Sequence, residues 1–152
     1  FDAHRLDGSP PLVLGGVTVS DSIGVSATSD GDVLAHAVID AVLGACALGD
    51  LGYHFPSDDP DLKDADSMDL LERTMAMAKG SGWRVSHVDA TVIVESVRVA
   101  PFRQAIRDRI ASALVLDVDS ISVKATTTDG LGFIGRGEGL AVVAVVTVSP
   151  LP

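Results

Sequence analysis

Two short apolar runs, Leu12-Val13-Leu14 and Val17-Thr18-Val19, flank Gly15-Gly16, and that pattern predicts a β-hairpin. Residues 20–29 form a polar loop. Residues 31–48 are helix formers or small apolar groups until Gly49-Asp50 breaks the run, which predicts a helix apolar on nearly every side. Asp66 can cap a second helix through Leu70, Leu71, Thr74, Met75 and Ala78, with Lys79-Gly80 at its end. Residues 85–95 are rich in β-branched side chains and predict a strand. Pro101 opens a third helix through Phe102, Ala105, Ile106, Ile110, Ala113 and Leu114, with Arg103, Arg107 and Asp108 turned outward. Residues 121–125 and 140–148 predict the closing strands. Between the first two helices, residues 53–66 hold two prolines and five aspartates, an irregular surface loop suited to a lid.

Strands and helices interleave without regular βαβ alternation, so the expected fold is α+β, a two-layer sandwich with helices on one face of a mixed sheet. The stretch 140–148 is apolar on both faces of its pleat, and three helices on one side leave the second face bare. A neighbouring subunit is expected to cover it. The 152 residues suit a single domain, 1–152.

Eleven basic against 21 acidic residues give a formal charge of −10, which repels nucleic acid and anionic membranes, so neither is expected as a partner. The nine residues of 140–148 fall far short of the roughly 20 that span a bilayer. One cysteine, Cys46, cannot form an internal disulfide and sits among apolar neighbours. No signal or transit segment opens the chain, and its start at Phe1 leaves room for a missing or trimmed N-terminal piece.

In the first predicted helix, Asp32, His36 and Asp40 recur at every fourth position and share one stripe. Either they are a helix cap plus an intrahelical His36–Asp40 pair, or they face a metal or polar ligand. Asp2-Ala3-His4 adds to the second option, because residues two apart in an extended segment point the same way. With His36 they make a carboxylate and two imidazoles, a catalytic zinc set with an open position. His54 and His87 have no such partners and read as surface or loop residues.

Residues 124–139 contain three consecutive threonines, Thr126 to Thr128, then Asp129 and a run of glycines between Lys124 and Arg136. Backbone N–H groups and hydroxyls there can cradle an anion, and Asp129 can hold a divalent cation. The Gly-Lys-Ser/Thr ending of a Walker loop is absent. A plain glycine-rich hairpin is the alternative.

Phe1-Asp2-Ala3-His4, Ser29-Asp30-Gly31-Asp32-Val33-Leu34-Ala35-His36, Gly49-Asp50-Leu51-Gly52, His54-Phe55-Pro56, Ala65-Asp66-Ser67, Lys124-Ala125-Thr126-Thr127-Thr128 and Gly135-Arg136-Gly137-Glu138-Gly139 together closely resemble the 2-C-methyl-D-erythritol 2,4-cyclodiphosphate synthase family. The resemblance spans nearly the whole chain. It implies a phosphorus–oxygen lyase of the non-mevalonate isoprenoid route. The 2-phosphate of 4-diphosphocytidyl-2-C-methyl-D-erythritol 2-phosphate attacks the β-phosphorus of the same molecule and expels CMP. It further implies zinc, or another divalent transition metal, at Asp2, His4 and His36, and Mg²⁺ or Mn²⁺ at Asp129. Thr127 would donate to the developing charge, with Thr126 and Thr128 beside it. Asp50, Leu51, Gly52, Phe55, Pro56, Ser57, Asp58 and Asp59 would hold the methylerythritol part, Ser29 would contact substrate, and Val94, Arg98, Val99 and Ala100 would form the cytosine pocket. The family implies a homotrimer with sites between subunits and a threefold cavity at Phe133, Arg136 and Glu138 that takes isoprenoid diphosphates. The setting implied is the cytoplasm of a bacterium, or the plastid stroma of a plant or alga.

The chain departs from the family pattern at four places. Thr28 stands where a phosphate-binding histidine is usual, Ser57 replaces a lid aspartate, Val97-Arg98 replaces Pro-Lys, and Asp129 replaces glutamate. Thr28 remains a candidate catalytic residue but brings no positive charge, so slowed turnover is expected. Two other readings stand beside the synthase. One is a catalytically weakened trimeric protein that binds isoprenoid diphosphates, and the other is a zinc phosphohydrolase.

Overall fold

The chain begins on a strand, β1 (Asp2–Arg5), continues through the hairpin β2 (Leu12–Leu14) and β3 (Val17–Ser20), and enters the long helix α1 (Val33–Ala45). The computed structural model describes residues 1–27, 29–62 and 64–152. After α1 come a one-turn helix α2 (Leu51–His54), α3 (Ser67–Gly80), β4 (Trp83–Ile93), α4 (Arg103–Leu114), β5 (Ile121–Thr126), a short helix α5 (Gly132–Gly135) and β6 (Gly139–Pro150). The main sheet is mixed, in the order β1-β6-β4-β5, with β4 and β5 parallel and the other pairs antiparallel. This is the expected α+β sandwich.

Helix α1 is apolar all round because it is covered on two sides, by β6 beneath and α3 above. Val33, Leu34, Val38, Ile39, Val42 and Leu43 are fully buried, each worth roughly 1.5–3 kcal/mol of burial. Its polar start is the exception. Asp32 is the N-cap, and its carboxylate accepts from the N–H groups of Leu34 and Ala35 and from Gly15 and Gly16 in the hairpin turn. Both turn glycines have positive φ, +58° and +71°, as a two-residue hairpin of this hand requires. A Cβ at Gly15 would stand 2.8 Å from the Ile106 side chain. Burial pushes the Asp32 carboxyl up from its ordinary value, against the opposing hydrogen bonds from Ala35, Gly16 and Gly15.

Several sequence expectations shift at element ends. Helix α3 is capped by Asp66 as expected, but it runs through Gly80 and is followed by Gly82, whose φ is +84°. Pro101 lies in a 3₁₀ turn ahead of α4 rather than in the helix itself. Arg107 is half-buried, and it donates to the carbonyls of Ile121 and Val118, so it anchors β5 instead of facing solvent. Ala105, assigned to the apolar face, is exposed. Residues 53–66 contain the end of α2 and a 3₁₀ turn (Pro60–Leu62). Glycine-rich 124–139 is not a hairpin, because β5 and β6 lie on opposite sides of β4.

The second sheet face is open. Val143 is 41% and Val145 62% exposed, and beside them Lys124 forms an ion pair with Asp89 at 2.6 Å. Cys46 is buried, which pushes its thiol up. No helix among the described residues is long and apolar enough to cross a membrane.

Candidate metal centre and phosphate loop

Strand β1 lies at the sheet edge next to β6, and its alternation sends Asp2 and His4 toward α1, which presents His36. Asp2 Oδ2 is 3.1 Å from His4 Nε2 and 3.2 Å from His36 Nδ1. Ligand atoms from the three residues all lie within 4.8 Å of one another, as the sequence predicts. Burial acts to raise the Asp2 carboxyl, but hydrogen bonds from His36 and His4 and their charge outweigh it and hold the group well below the usual carboxylate range. The His36–Asp40 pair, one of the two alternatives the sequence offered, is not made. Asp40 instead accepts the Leu51 N–H at 2.7 Å and ties α1 to α2.

A third contact decides how His36 is oriented. Its Nε2 lies 2.9 Å from Ser67 Oγ, and the Ser67 hydroxyl donates to Asp30. Ser67 has one proton, so His36 must be the donor at Nε2, and in the neutral imidazole this leaves the Nδ1 lone pair aimed at Asp2. A lone pair and a carboxylate 3.2 Å apart repel unless a cation or proton lies between them. His4 Nδ1 is buried with no hydrogen-bond partner among the described residues. One carboxylate and two imidazoles are a borderline donor set that fits zinc or a similar divalent transition metal.

The cluster lines a cavity of about 300 Å³. Ser29 lines it too, with Oγ 3.3 Å from His36 Nε2. Leu51 comes to it from α2, and Phe55, Pro56 and Ser57 come from the predicted lid, where Phe55 is itself buried beneath the Arg73 guanidinium. Asp50 caps α2 by accepting from Tyr53 N–H, Asp59 accepts from Asp61 N–H, and Gly52 and Asp58 are exposed nearby. Thr28 lies outside the described residues. His54 is half-buried with Nε2 2.7 Å from the Leu48 carbonyl, and His87 is exposed on β4 rather than in a loop.

The threonines stand elsewhere. Asp2, Val142, Val92 and Ala125 form one row across the sheet, so Thr126 follows a residue three strand spacings from Asp2. At ~4.8 Å per strand that is about 14 Å, whereas two metals on one phosphate group sit about 3.5–4 Å apart. A single copy therefore does not bring Thr126 to Asp129 to the Asp2 cluster.

In the loop itself, Thr126 Oγ1 donates to the Thr127 carbonyl, and Asp129, exposed with φ +55°, donates its N–H to Thr127 Oγ1. Thr128 turns its hydroxyl to the Leu131 carbonyl at 2.7 Å rather than outward. Thr127 alone of the three gives its hydroxyl proton to no acceptor among the described residues. Val94 and Val99 are buried while Arg98 and Ala100 are exposed, so the valines would offer backbone groups to a base. Phe133 and Glu138 line a second cavity of about 180 Å³, and Arg136 makes a two-point ion pair with Glu138 at 2.8 and 3.1 Å.

A model of the YgbB family matches residues 1–149. The chain belongs to the YgbB family. It is 52% identical over 151 residues to 2-C-methyl-D-erythritol 2,4-cyclodiphosphate synthase of Shewanella piezotolerans, which covers 99% of this chain and 95% of that one. It is 51% identical over 146 residues to the synthase of the same name from Moorella thermoacetica, covering 96% and 90%. Among solved structures, the bifunctional IspDF of Campylobacter jejuni superposes with a TM-score of 0.96 at 43% identity over 99% of this chain. The chain spans only 41% of that longer protein. The CDP complex of Plasmodium falciparum IspF superposes with a TM-score of 0.82 at 28% identity, covering 99% and 91%.

Asp30, Ser67 and Glu95 were not among the residues assigned from the sequence. The first two lie inside the Ser29–Asp32 and Ala65–Ser67 runs already singled out, so their place in a motif was the available signal. Glu95 carried none, because its partners are 33 and 35 residues away.

Proposed function

We propose that this chain converts 4-diphosphocytidyl-2-C-methyl-D-erythritol 2-phosphate into 2-C-methyl-D-erythritol 2,4-cyclodiphosphate and CMP. An oxygen of the 2-phosphate bonds to the β-phosphorus, the bond from that phosphorus to the bridging oxygen breaks, and CMP departs without consumption of water. That makes the enzyme a phosphorus–oxygen lyase. The observation that carries the reading is the convergence of Asp2, His4 and His36 on a cavity roofed by Phe55, Pro56 and Ser57, in a chain whose relatives at about half identity bear the synthase name.

Zinc or a similar metal held by Asp2, His4 and His36, and Mg²⁺ or Mn²⁺ held by Asp129, would draw charge from the diphosphate and make its β-phosphorus more electrophilic. The Thr127 hydroxyl, with its proton uncommitted, donates to the oxygen on which charge develops. Phe55 and Pro56 keep water from the reacting phosphates, and Ser29, Asp50, Leu51, Gly52, Ser57, Asp58 and Asp59 hold the polyol. Backbone groups of Val94, Val99 and Ala100, with Arg98, receive cytosine.

The separation of about 14 Å across the sheet supports a site shared by two copies. The open face at Val143 and Val145 supports the homotrimer that would bring them together. Residues 1–152 form one domain in this reading, and the setting is the cytoplasm of a bacterium. Isoprenoid diphosphate in the cavity at Phe133, Arg136 and Glu138 belongs to the same proposal, with the Arg136–Glu138 pair opened by the ligand. The named relatives are synthases, which favours catalysis over a binding-only role.

Incubation with the cytidine substrate, zinc and Mg²⁺ in ¹⁸O-labelled water tests the reading. Equimolar CMP and cyclic diphosphate without label are expected. Labelled linear phosphates would identify a hydrolase and overturn it.

A further inference from the structure

Beyond the end of β4, one carboxylate oxygen gathers the far side of the phosphate loop. Glu95 Oε1 accepts from Thr128 N–H at 3.0 Å, from Gly130 N–H at 3.1 Å, and lies 3.3 Å from the Thr128 hydroxyl. One residue earlier in the chain, Val94 N–H donates to the Thr126 carbonyl at 3.0 Å. The loop is thus pinned to β4 on both sides of Thr127.

A carboxylate beside a loop that meets a diphosphate is electrostatically unfavourable for binding, since like charges repel across a partly desolvated site. It also takes up two of the backbone N–H groups that a glycine-rich anion cradle would use. Both points argue that Glu95 does not bind substrate. Its chemistry is that of an acceptor which fixes the turn and leaves the Thr127 hydroxyl proton and the Asp129 carboxylate uncommitted among the described residues.

We infer that Glu95 is the positioning residue of the phosphate loop, holding Thr127 and Asp129 in register by accepting from Thr128 and Gly130. The role rests on the cyclising function proposed above. Acceptance at one oxygen, rather than negative charge, is what the loop needs. An amide oxygen at the same position serves nearly as well, and a methyl group does not.

The test compares Glu95→Gln and Glu95→Ala with the parent by two readouts. The first is kcat and KM for CMP release at saturating Mg²⁺. Glu95→Ala is expected to lose about 10- to 100-fold in kcat, the range for misplacement of a reacting group by about 1 Å, with KM changed less than threefold. Glu95→Gln should stay within about fivefold of the parent. The second is hydrogen exchange of the Thr128 and Gly130 amides. Their protection should fall at least tenfold in the alanine variant while amides of β6 keep theirs, which separates loop release from unfolding. A glutamine variant as slow as alanine would show that charge or metal ligation matters and would overturn the inference. So would unchanged exchange in the alanine variant. If the parent releases no CMP the cyclising function falls, and exchange alone then decides whether Glu95 holds the loop.

Discussion

Ser67 Oγ lies 2.9 Å from His36 Nε2 and donates its own hydrogen bond to Asp30, so the imidazole is locked from behind with Nδ1 facing Asp2. Ser67 is fully buried at the first turn of α3, and its backbone N–H also donates to Asp30 at 2.9 Å. The Asp2, His4 and His36 cluster is therefore braced by a helix that contributes none of its three side chains. Ser67→Ala is expected to weaken zinc binding about 10- to 100-fold, the usual cost of removing an outer partner of a ligating histidine. Competition against a chelator of known affinity measures it, and an unchanged dissociation constant would contradict the tautomer argument.

Asp32 joins the start of α1 to the hairpin through four N–H groups. Asp32→Ala removes the cap, worth about 1 kcal/mol, and strands the Gly15 and Gly16 donors at about 1–3 kcal/mol each where they are buried. A loss of at least about 2 kcal/mol is expected from urea unfolding. A loss under about 0.5 kcal/mol would mean that the hairpin amides find other partners.

Helix α4 ends on Val115 at φ +54°, ψ +46°, a left-handed position that suits glycine and strains a β-branched side chain. The side chain is 87% exposed, so little packing is lost on removal. Val115→Gly should raise stability by about 1 kcal/mol, read from the denaturation midpoint. A fall in the midpoint would show that the entropy of the added glycine outweighs the relief of strain.

Subunit mixing tests the shared site. His36→Ala and Asp129→Ala chains are each expected to be inactive. Unfolded and refolded together in equal amounts, they should regain about one quarter of parental activity, because one interface in three is intact in each mixed trimer and three quarters of random trimers are mixed. No recovery, with mixed trimers present by mass spectrometry, would place both halves of the site in one chain.

Thr28 stands where the family pattern usually has histidine. The resemblance implies a phosphate-contacting role at this position, on which Thr28→His is expected to raise kcat about 10- to 1,000-fold by supplying a cationic donor. Steady-state kinetics at saturating substrate decide it, and a kcat equal to the parent's would remove that role from the position.

Local order was legible in the chain because it depends on near neighbours. Gly15-Gly16 between apolar runs, Asp66 ahead of α3, and the β-branched stretch of β4 each specify their element within a few residues. Asp2, His4 and His36 could be grouped because two of them alternate on one strand and the third lies in a polar stripe of an otherwise apolar helix. Only the tertiary structure decided that His36 turns to Ser67 and not Asp40, that Arg107 anchors β5, and that Glu95 grips a turn more than 30 residues away. It alone set the order β1-β6-β4-β5, which separates the threonines from the imidazoles within one copy. Hydrophobic spacing records which residues are buried, whereas hydrogen-bond partners across the fold depend on strand order and register, which no local pattern encodes.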